Sequence, residues 1–307
     1  MPRWVAELRR NVGRVRRRLL FRTARWLVRR SGFDGIRRLG AVMGRLHYRL
    51  GAEARRACLE GLASLLGRPM NDPVVVNTLR EAYRVNTIAV LEVLSMVDRK
   101  LDPERLRASC RVDGMEHLEA ARNGRGAILL ATHSGNSLLL AAQLAEAGVP
   151  VTVVYRHARM MSQSFFATGL PRYGIHGILA NEGFKAYARM VDALRKNGVV
   201  FAMVDQGVKE AETGVPVRFL GKDMPMPGGV VQLARTSRAP ILPVTALAAD
   251  PVWHFSIEEP LRIPPGGSIE EDTALVLRHV EGQIMAHPEL WSWQHRRWRK
   301  YPVAKDA

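Results

Sequence analysis

The sequence predicts an α/β fold: a mixed, largely parallel central sheet flanked by helices, with an N-terminal helical layer. Two observations carry that prediction. From about Val112 onward, short apolar runs alternate with stretches of helical periodicity, as when strands of one sheet are joined by helices that cover its faces. Before Val112 the chain reads as helix almost throughout. At 307 residues it is long enough for one large domain with its own core.

Residues 2–30 read as a basic amphipathic helix, with a break near Gly13 left open. Leu20, Ala24, Leu27 and Val28 recur at helical spacing, Phe21 and Trp26 flank that stripe, and arginines fill most other positions. Such a helix can lie in a membrane interface, with apolar side chains in lipid and guanidinium groups at headgroup phosphates. A basic helix packed on the protein with its arginines solvated is the competing reading. Further helices are expected over about 36–67 and 73–98, and Glu92 is the lone charge within residues 87–96, so that stretch is expected to be buried. The division predicted is a membrane-associating helix over 1–30 and a single α/β domain over 31–307.

Residues 127–131 are wholly apolar and read as a buried strand, followed at once by Thr132-His133-Ser134-Gly135-Asn136 and a helix over 138–147. A second strand over 151–155 ends at Arg156. A helix over 184–196 presents Phe184, Tyr187, Ala188 and Val191 on one face, and a third strand over 199–204 ends at Asp205-Gln206-Gly207. Strands over 215–220, 241–247 and 253–257, a helix over 228–236 and a closing helix over 270–285 complete the alternation. In sheets of this kind ligands collect at the carboxyl ends of strands, where His133, Arg156 and Asp205 all fall.

The formal net charge is +17, and residues 1–50 hold fifteen arginines and no lysine against Glu7 and Asp34. That block requires an anionic partner, either nucleic-acid phosphate or acidic lipid headgroups. No RNA- or DNA-binding module accompanies the arginines, which disfavours nucleic acid. Cys58 and Cys110 stand far apart and read as buried thiols rather than a disulfide or a metal site. Arginines follow the first residues where a secretory signal would carry an apolar run, and no run of about 18 uncharged apolar residues is present to span a bilayer. The location expected is the cytoplasmic face of the bacterial inner membrane, peripheral to it.

His133 is the leading chemical candidate. It follows a buried strand and opens a polar, glycine-containing turn, so a neutral imidazole there can reach a cleft and take a proton from an attacking hydroxyl or amine. His157, His176, His254 and His279 share no metal-ligand spacing and read as surface or packing residues. Pro227-Gly228-Gly229 reads as a turn before a helix, without the spacing of a phosphate-binding loop.

His133-Ser134-Gly135-Asn136 resembles the His-x-Gly-Asn start of the His-x4-acid motif of glycerolipid and lipid A acyltransferases. Asp205-Gln206, Val217-Arg218-Phe219-Leu220-Gly221 and Pro227-Gly228-Gly229 through Arg235 are similar to segments of the lipid A late-acyltransferase branch. The tail Pro288-Glu289-Leu290-Trp291-Ser292-Trp293-Gln294-His295-Arg296-Arg297-Trp298 is similar to that family's closing Pro-Glu-x-Trp-x-Trp-x-His-Arg-Arg-aromatic pattern. The resemblance runs in order along nearly the whole chain.

It implies a glycerolipid acyltransferase-like fold and transfer of a fatty acyl group from a thioester, on acyl carrier protein or coenzyme A, to a hydroxyl or amine of a lipid or glycolipid. His133 would be the general base, with Asp205 orienting it or holding the site and a backbone or side-chain donor such as Asn136 stabilising the oxyanion. Arg156 and Arg218 would steady phosphate, with Ser134, Gly135, Gln206 and Leu138 lining the substrate site; an ion pair with Asp205 is the other reading of the two arginines. No metal or redox cofactor is implied. The tryptophans of the tail leave two readings open: core packing, or an interfacial anchor or carrier dock.

The sequence departs from the pattern at one place that matters. Five residues after the histidine the family carries Asp or Glu, and here the residue is Leu138. A carboxylate in that role fixes the imidazole tautomer and stabilises the imidazolium. Three explanations follow: another carboxylate, Glu182 or Asp205, approaches His133 from a different strand; the acceptor is an amine, which needs less help from a base; or catalysis is lost and the protein binds membranes or acyl carriers.

Overall fold

A computed structural model of the chain describes residues 3–156, 163–208 and 211–301, without the side chains of 3–18, 20, 21, 163, 164, 296 and 297. The expectations placed on His157 and on the side chains of Leu20, Phe21, Arg296 and Arg297 fall outside the described residues. The architecture is a seven-stranded, mostly parallel sheet flanked by helices, beneath an N-terminal helical layer.

The layer begins with α1 (Arg3–Leu50), which runs through Gly13 and kinks at Gly32, where φ is 62° and ψ 174°. The break therefore falls at Gly32: an interior glycine costs a helix only about 1 kcal/mol, whereas a left-handed φ interrupts it. The helix expected over 36–67 is divided at Gly51, its first part belonging to α1 and the rest forming α2 (Ala52–Leu66). Helix α3 (Pro73–Asp98) starts at an N-cap, Asp72, whose carboxylate accepts the Val74 N–H, with proline in the first turn. Ile88, Ala89, Leu91, Glu92, Leu94, Ser95 and Met96 on it are buried, as the near-absence of charge predicts.

Helix α1 packs along α3. Val28 and Ile36 are buried with Leu91, Leu94 and Val97, and Arg25 and Arg29 both pair with Asp98 at the end of α3. Of the predicted stripe, Val28 is buried and Ala24 packs against the same cluster, whereas Trp26, which flanks the stripe, is exposed. Among the described residues no helix is long and apolar enough to cross a membrane.

After α4 (Pro103–Ser109) the chain forms β1 (Cys110–Asp113), α5 (Met115–Arg122), β2 (Ala127–Ala131), α6 (Ser137–Glu146) and β3 (Val151–Tyr155). Then come α7 (Gln163–Gly169), β4 (His176–Leu179), α8 (Phe184–Arg195), β5 (Val199–Met203) and a hairpin, β6 (Val215–Phe219) with β7 (Lys222–Met226). Helix α9 (Gly229–Ser237), β8 (Ile241–Ala248), β9 (Trp253–Ile257), α10 (Ile269–Ala286) and α11 (Arg296–Arg299) complete the chain. The sheet order is β1-β9-β8-β2-β5-β3-β4, parallel at every pairing except β8 with β9.

The two faces of the sheet seat two cores, as strand alternation requires. Ile128 and Leu130 of β2 point into a cluster with Val191 and Leu194 of α8, Val231 of α9 and Val280 of α10. Ala127, Leu129 and Ala131 point the other way, to Leu139, Leu140 and Leu144 of α6 and Ile88 and Met96 of α3. Two sequence expectations are corrected here. The strand over 215–220 does not join the main sheet but pairs antiparallel with β7. Of the face expected on α8, Val191 is buried and Tyr187 half-buried, whereas Phe184 and Ala188 are exposed; Ala186 and Leu194 are the other buried residues.

The tail resolves in favour of core packing. Trp291, Trp293 and Trp298 are all 0% exposed and meet edge to face, with ring centroids 4.8 to 5.7 Å apart, the arrangement aromatic quadrupoles prefer. A Cβ on Gly61 of α2 would stand 2.1 Å from the Trp298 ring, so only glycine lets that helix close on the tail. Burial of these rings removes them as an interfacial anchor. Both cysteines are free and buried, and burial pushes the Cys58 thiol up to about 11 and the Cys110 thiol up to about 12, away from thiolate chemistry.

Candidate active site

The site follows from the register of the central strand pair. Strands β2 and β5 run parallel with Ala131 opposite Met203. Two residues beyond each strand, His133 and Asp205 face one another: His133 Nδ1 lies 2.7 Å from Asp205 Oδ1, and the His133 backbone N–H donates to Oδ2 at 2.8 Å. The Trp291 indole N–H donates to the same Oδ2 at 2.7 Å. The carboxylate is 0% exposed. Burial alone would raise its pKa, but the His133 charge and hydrogen bonds, with the charge of His295, outweigh burial and hold it well below the usual carboxylate range.

An ionised Asp205 can only accept, so Nδ1 carries a proton toward it, and in the neutral imidazole Nε2 is the acceptor, facing the Gln206 amide. The imidazole is about one third exposed. This is the geometry of a general base with its orienting acid. The tail closes over it: the Ser292 N–H donates to the His133 carbonyl at 3.1 Å, and Ser134 forms an antiparallel bridge with Trp291.

Gly135, in the turn after the base, has φ +67° and lies so close to Trp253 that a Cβ would sit 2.6 Å from the indole. Ser134 is buried, its hydroxyl bonded to Thr132 at 2.9 Å. Asn136 is also buried; its amide donates to Glu92 Oε2 at 3.1 Å and approaches Met96 Sδ at 3.6 Å. Both amide hydrogens are thus committed beneath the turn, which removes Asn136 from the cleft as an oxyanion donor. Glu92 gathers Asn136, the Trp253 indole N–H and the Arg37 guanidinium. Burial raises its pKa against the pull of those partners.

Of the other predicted residues, Gln206 joins the site, its Nε2 2.9 Å from His133 Nε2. Arg156 is exposed at the end of β3, two strands from β2 in the sheet order and so roughly 10 Å from the base by strand spacing. Arg218 is exposed on β6, where its charge acts on Glu281. Glu182 is committed to Arg189. Leu138 packs its side chain between the α6 core and the α1–α3 contact.

Three residues at the site were not assigned a site role from sequence: Trp291, His295 and Glu92. The first two sit in the tail motif, whose Trp-x-Trp-x-His spacing was visible without its destination. Glu92 was visible as the lone charge in an apolar helix, but its partners come from α1, the His133 turn and β9, far apart in sequence.

The chain matches the model of the bacterial lipid A biosynthesis acyltransferases over residues 15–300. Among curated relatives it is 29% identical over 245 residues, 78% of this chain and 75% of the relative, to a phosphatidylinositol mannoside acyltransferase of Mycobacterium tuberculosis. A protein with the same name from a second strain of that organism is 27% identical over 252 residues, with the same coverage of each chain. With the motif residues in family order and the match running from α1 to the end of the tail, the chain belongs to the bacterial lipid A biosynthesis acyltransferase family and is an acyltransferase.

Proposed function

We propose that this enzyme transfers a fatty acyl group from a thioester, carried by acyl carrier protein or coenzyme A, to a hydroxyl of a glycolipid, with His133 as general base. The observation that carries the reading is the His133–Asp205 pair. An amine acceptor was needed only to explain a base without its acid; with Asp205 on Nδ1, a hydroxyl is within reach of the same imidazole. The relatives named for acylating a phosphatidylinositol mannoside support a glycolipid acceptor.

In the reaction the acceptor hydroxyl gives its proton to His133 Nε2 as its oxygen attacks the thioester carbonyl. The tetrahedral intermediate collapses with cleavage of the carbon–sulfur bond. The imidazolium, stabilised by Asp205, returns the proton to the departing sulfur, leaving an ester and a free thiol. The test is mass spectrometry of purified protein with acyl carrier and coenzyme A thioesters, crossed with mannosylated phosphatidylinositol, lipid A precursor, lysolipid and simple amines. Acylation of a glycolipid hydroxyl is expected; acylation of amines alone, or of nothing, would refute the reading.

The same proposal places the enzyme on the cytoplasmic membrane surface, bound through α1. Arg22, Arg30 and Trp26 are exposed on that helix, and Arg30 lies over the Trp26 ring at 5.0 Å, a basic and aromatic face suited to anionic headgroups. Arg22→Glu with Arg30→Glu is expected to cut sedimentation with phosphatidylglycerol vesicles at least several-fold at low salt. Unchanged sedimentation would count against docking through this face.

A further inference from the structure

We propose that Gln206 is the oxyanion donor of this site and that His295 is the residue that positions it. The inference rests on the acyl-transfer reading and deepens it. Gln206 Nε2 is 2.9 Å from His133 Nε2, the nitrogen that must carry the lone pair because Nδ1 is held by Asp205. Its other contact is the His295 ring, whose nitrogens lie 3.1 and 3.2 Å from the same amide nitrogen. The two imidazoles meet edge to face with centroids 4.5 Å apart. A carboxamide nitrogen only donates, so Gln206 gives one hydrogen to the base, and its near-equal distances to both His295 nitrogens place the amide against the face of that ring.

A hydroxyl that is to lose its proton to His133 must take the place that the amide holds. When it does, the amide hydrogen released from Nε2 is left beside the attacking oxygen, while the contact with the His295 ring limits how far the carboxamide swings away. That location is where charge develops on the thioester carbonyl oxygen, within about 3 Å of the nucleophile. Asn136, the side-chain amide expected from the motif to serve there, is buried and committed to Glu92 and Met96, so a side-chain donor comes from elsewhere at the site. Gln206 is the residue immediately after Asp205, and the strand end that positions the acid positions it too. No atom is transferred to or from Gln206: it donates a hydrogen bond to the oxyanion as the carbon–oxygen double bond opens and returns to His133 when the product leaves.

The test uses the full chain, palmitoyl coenzyme A and mannosylated phosphatidylinositol. Gln206→Ala and the isosteric Gln206→Glu are expected to lower kcat by about a hundredfold, with KM for both substrates within about threefold. A residue that only fills space would be rescued by glutamate, which keeps the shape and lacks the donor. His295→Ala is expected to cost about tenfold in kcat, with recovery in His295→Gln, which can still accept from the amide. Full kcat in Gln206→Glu, or a rise in kcat in Gln206→Ala, would overturn the proposal, the second by making Gln206 a cap that merely blocks the base. His133→Ala run alongside separates the two claims: an active His133→Ala protein refutes the acyl-transfer mechanism, whereas an inactive one beside an unimpaired Gln206→Ala refutes the oxyanion donor. Independently of turnover, the 15N resonance of His133 Nε2 in histidine-labelled protein is expected to move in Gln206→Ala; an unmoved resonance would also overturn it.

Discussion

His133→Ala is expected to lower kcat for acyl transfer by about a thousandfold or more while the protein remains folded. The expectation follows from how the imidazole is built in. Its backbone N–H and its Nδ1 are tied to one buried carboxylate, and its carbonyl accepts from Ser292 of the tail. Alanine keeps both backbone bonds and removes only the ring. The ring is about one third exposed, so its loss opens little of the core, and thermal unfolding should shift far less than activity. Activity is read as product per unit time with saturating thioester and acceptor. A folded His133→Ala protein that still turns over would remove the imidazole from the mechanism.

Asp205→Asn is expected to cost about as much, for a different reason. The asparagine amide fits the same space but presents a donor where Nδ1–H needs an acceptor, so the imidazole is pushed to the other tautomer and its lone pair leaves the cleft. The change also leaves Trp291 and the His133 backbone sharing a weaker acceptor. Because the carboxyl is held well below its ordinary value, the ionised form persists across neutral and mildly acid pH. Its contribution to folding stability is fully present above the unfolded-state value of roughly 4 and is lost only as pH falls through the depressed folded value. Asp205→Asn should therefore show a smaller loss of stability than the unmutated protein on going from neutral pH to strongly acid pH. Leu138→Glu, by contrast, is expected to give no gain in hydroxyl acylation: the base already has its acid, and a carboxylate at 138 would enter the packing between α6 and α1. A rise in kcat in Leu138→Glu, or an Asp205→Asn protein within a few-fold of the unmutated one, would place the functional acid elsewhere.

Much of this geometry was legible in the sequence, for reasons that also explain what was not. The central strands β2 and β5 read as unbroken apolar runs and β3 as a β-branched one, so their ends, and with them His133, Arg156 and Asp205, could be placed. That Asp205 rather than Glu182 meets His133 is a fact of strand order: β5 is inserted between β2 and β3, and spacing along the chain does not encode that. The strands that escaped notice are marginal as sequence. Cys110–Asp113 and His176–Leu179 are four residues each at the two edges of the sheet, and Lys222–Met226 carries two charges and a proline, tolerable only in a hairpin outside the main sheet. Asn136 misled because a motif gives the residue and not its direction; the tight turn at Gly135 aims the amide down at Glu92, not into the cleft. His295 and Trp291 reach the site because the tail returns beside the turn after β2, a contact between residues about half the chain apart.

The claim at the centre of the account is that Asp205 holds the proton of His133 at Nδ1 in place of the acid that Leu138 replaces. Low-field proton NMR of the purified protein tests it most directly, because a hydrogen between an imidazole and a buried carboxylate resonates apart from ordinary amides and exchanges slowly. The account predicts one such resonance in the unmutated protein, kept in Leu138→Glu and lost in both Asp205→Asn and His133→Ala. Its absence from the unmutated protein, or its survival in Asp205→Asn, would contradict the account.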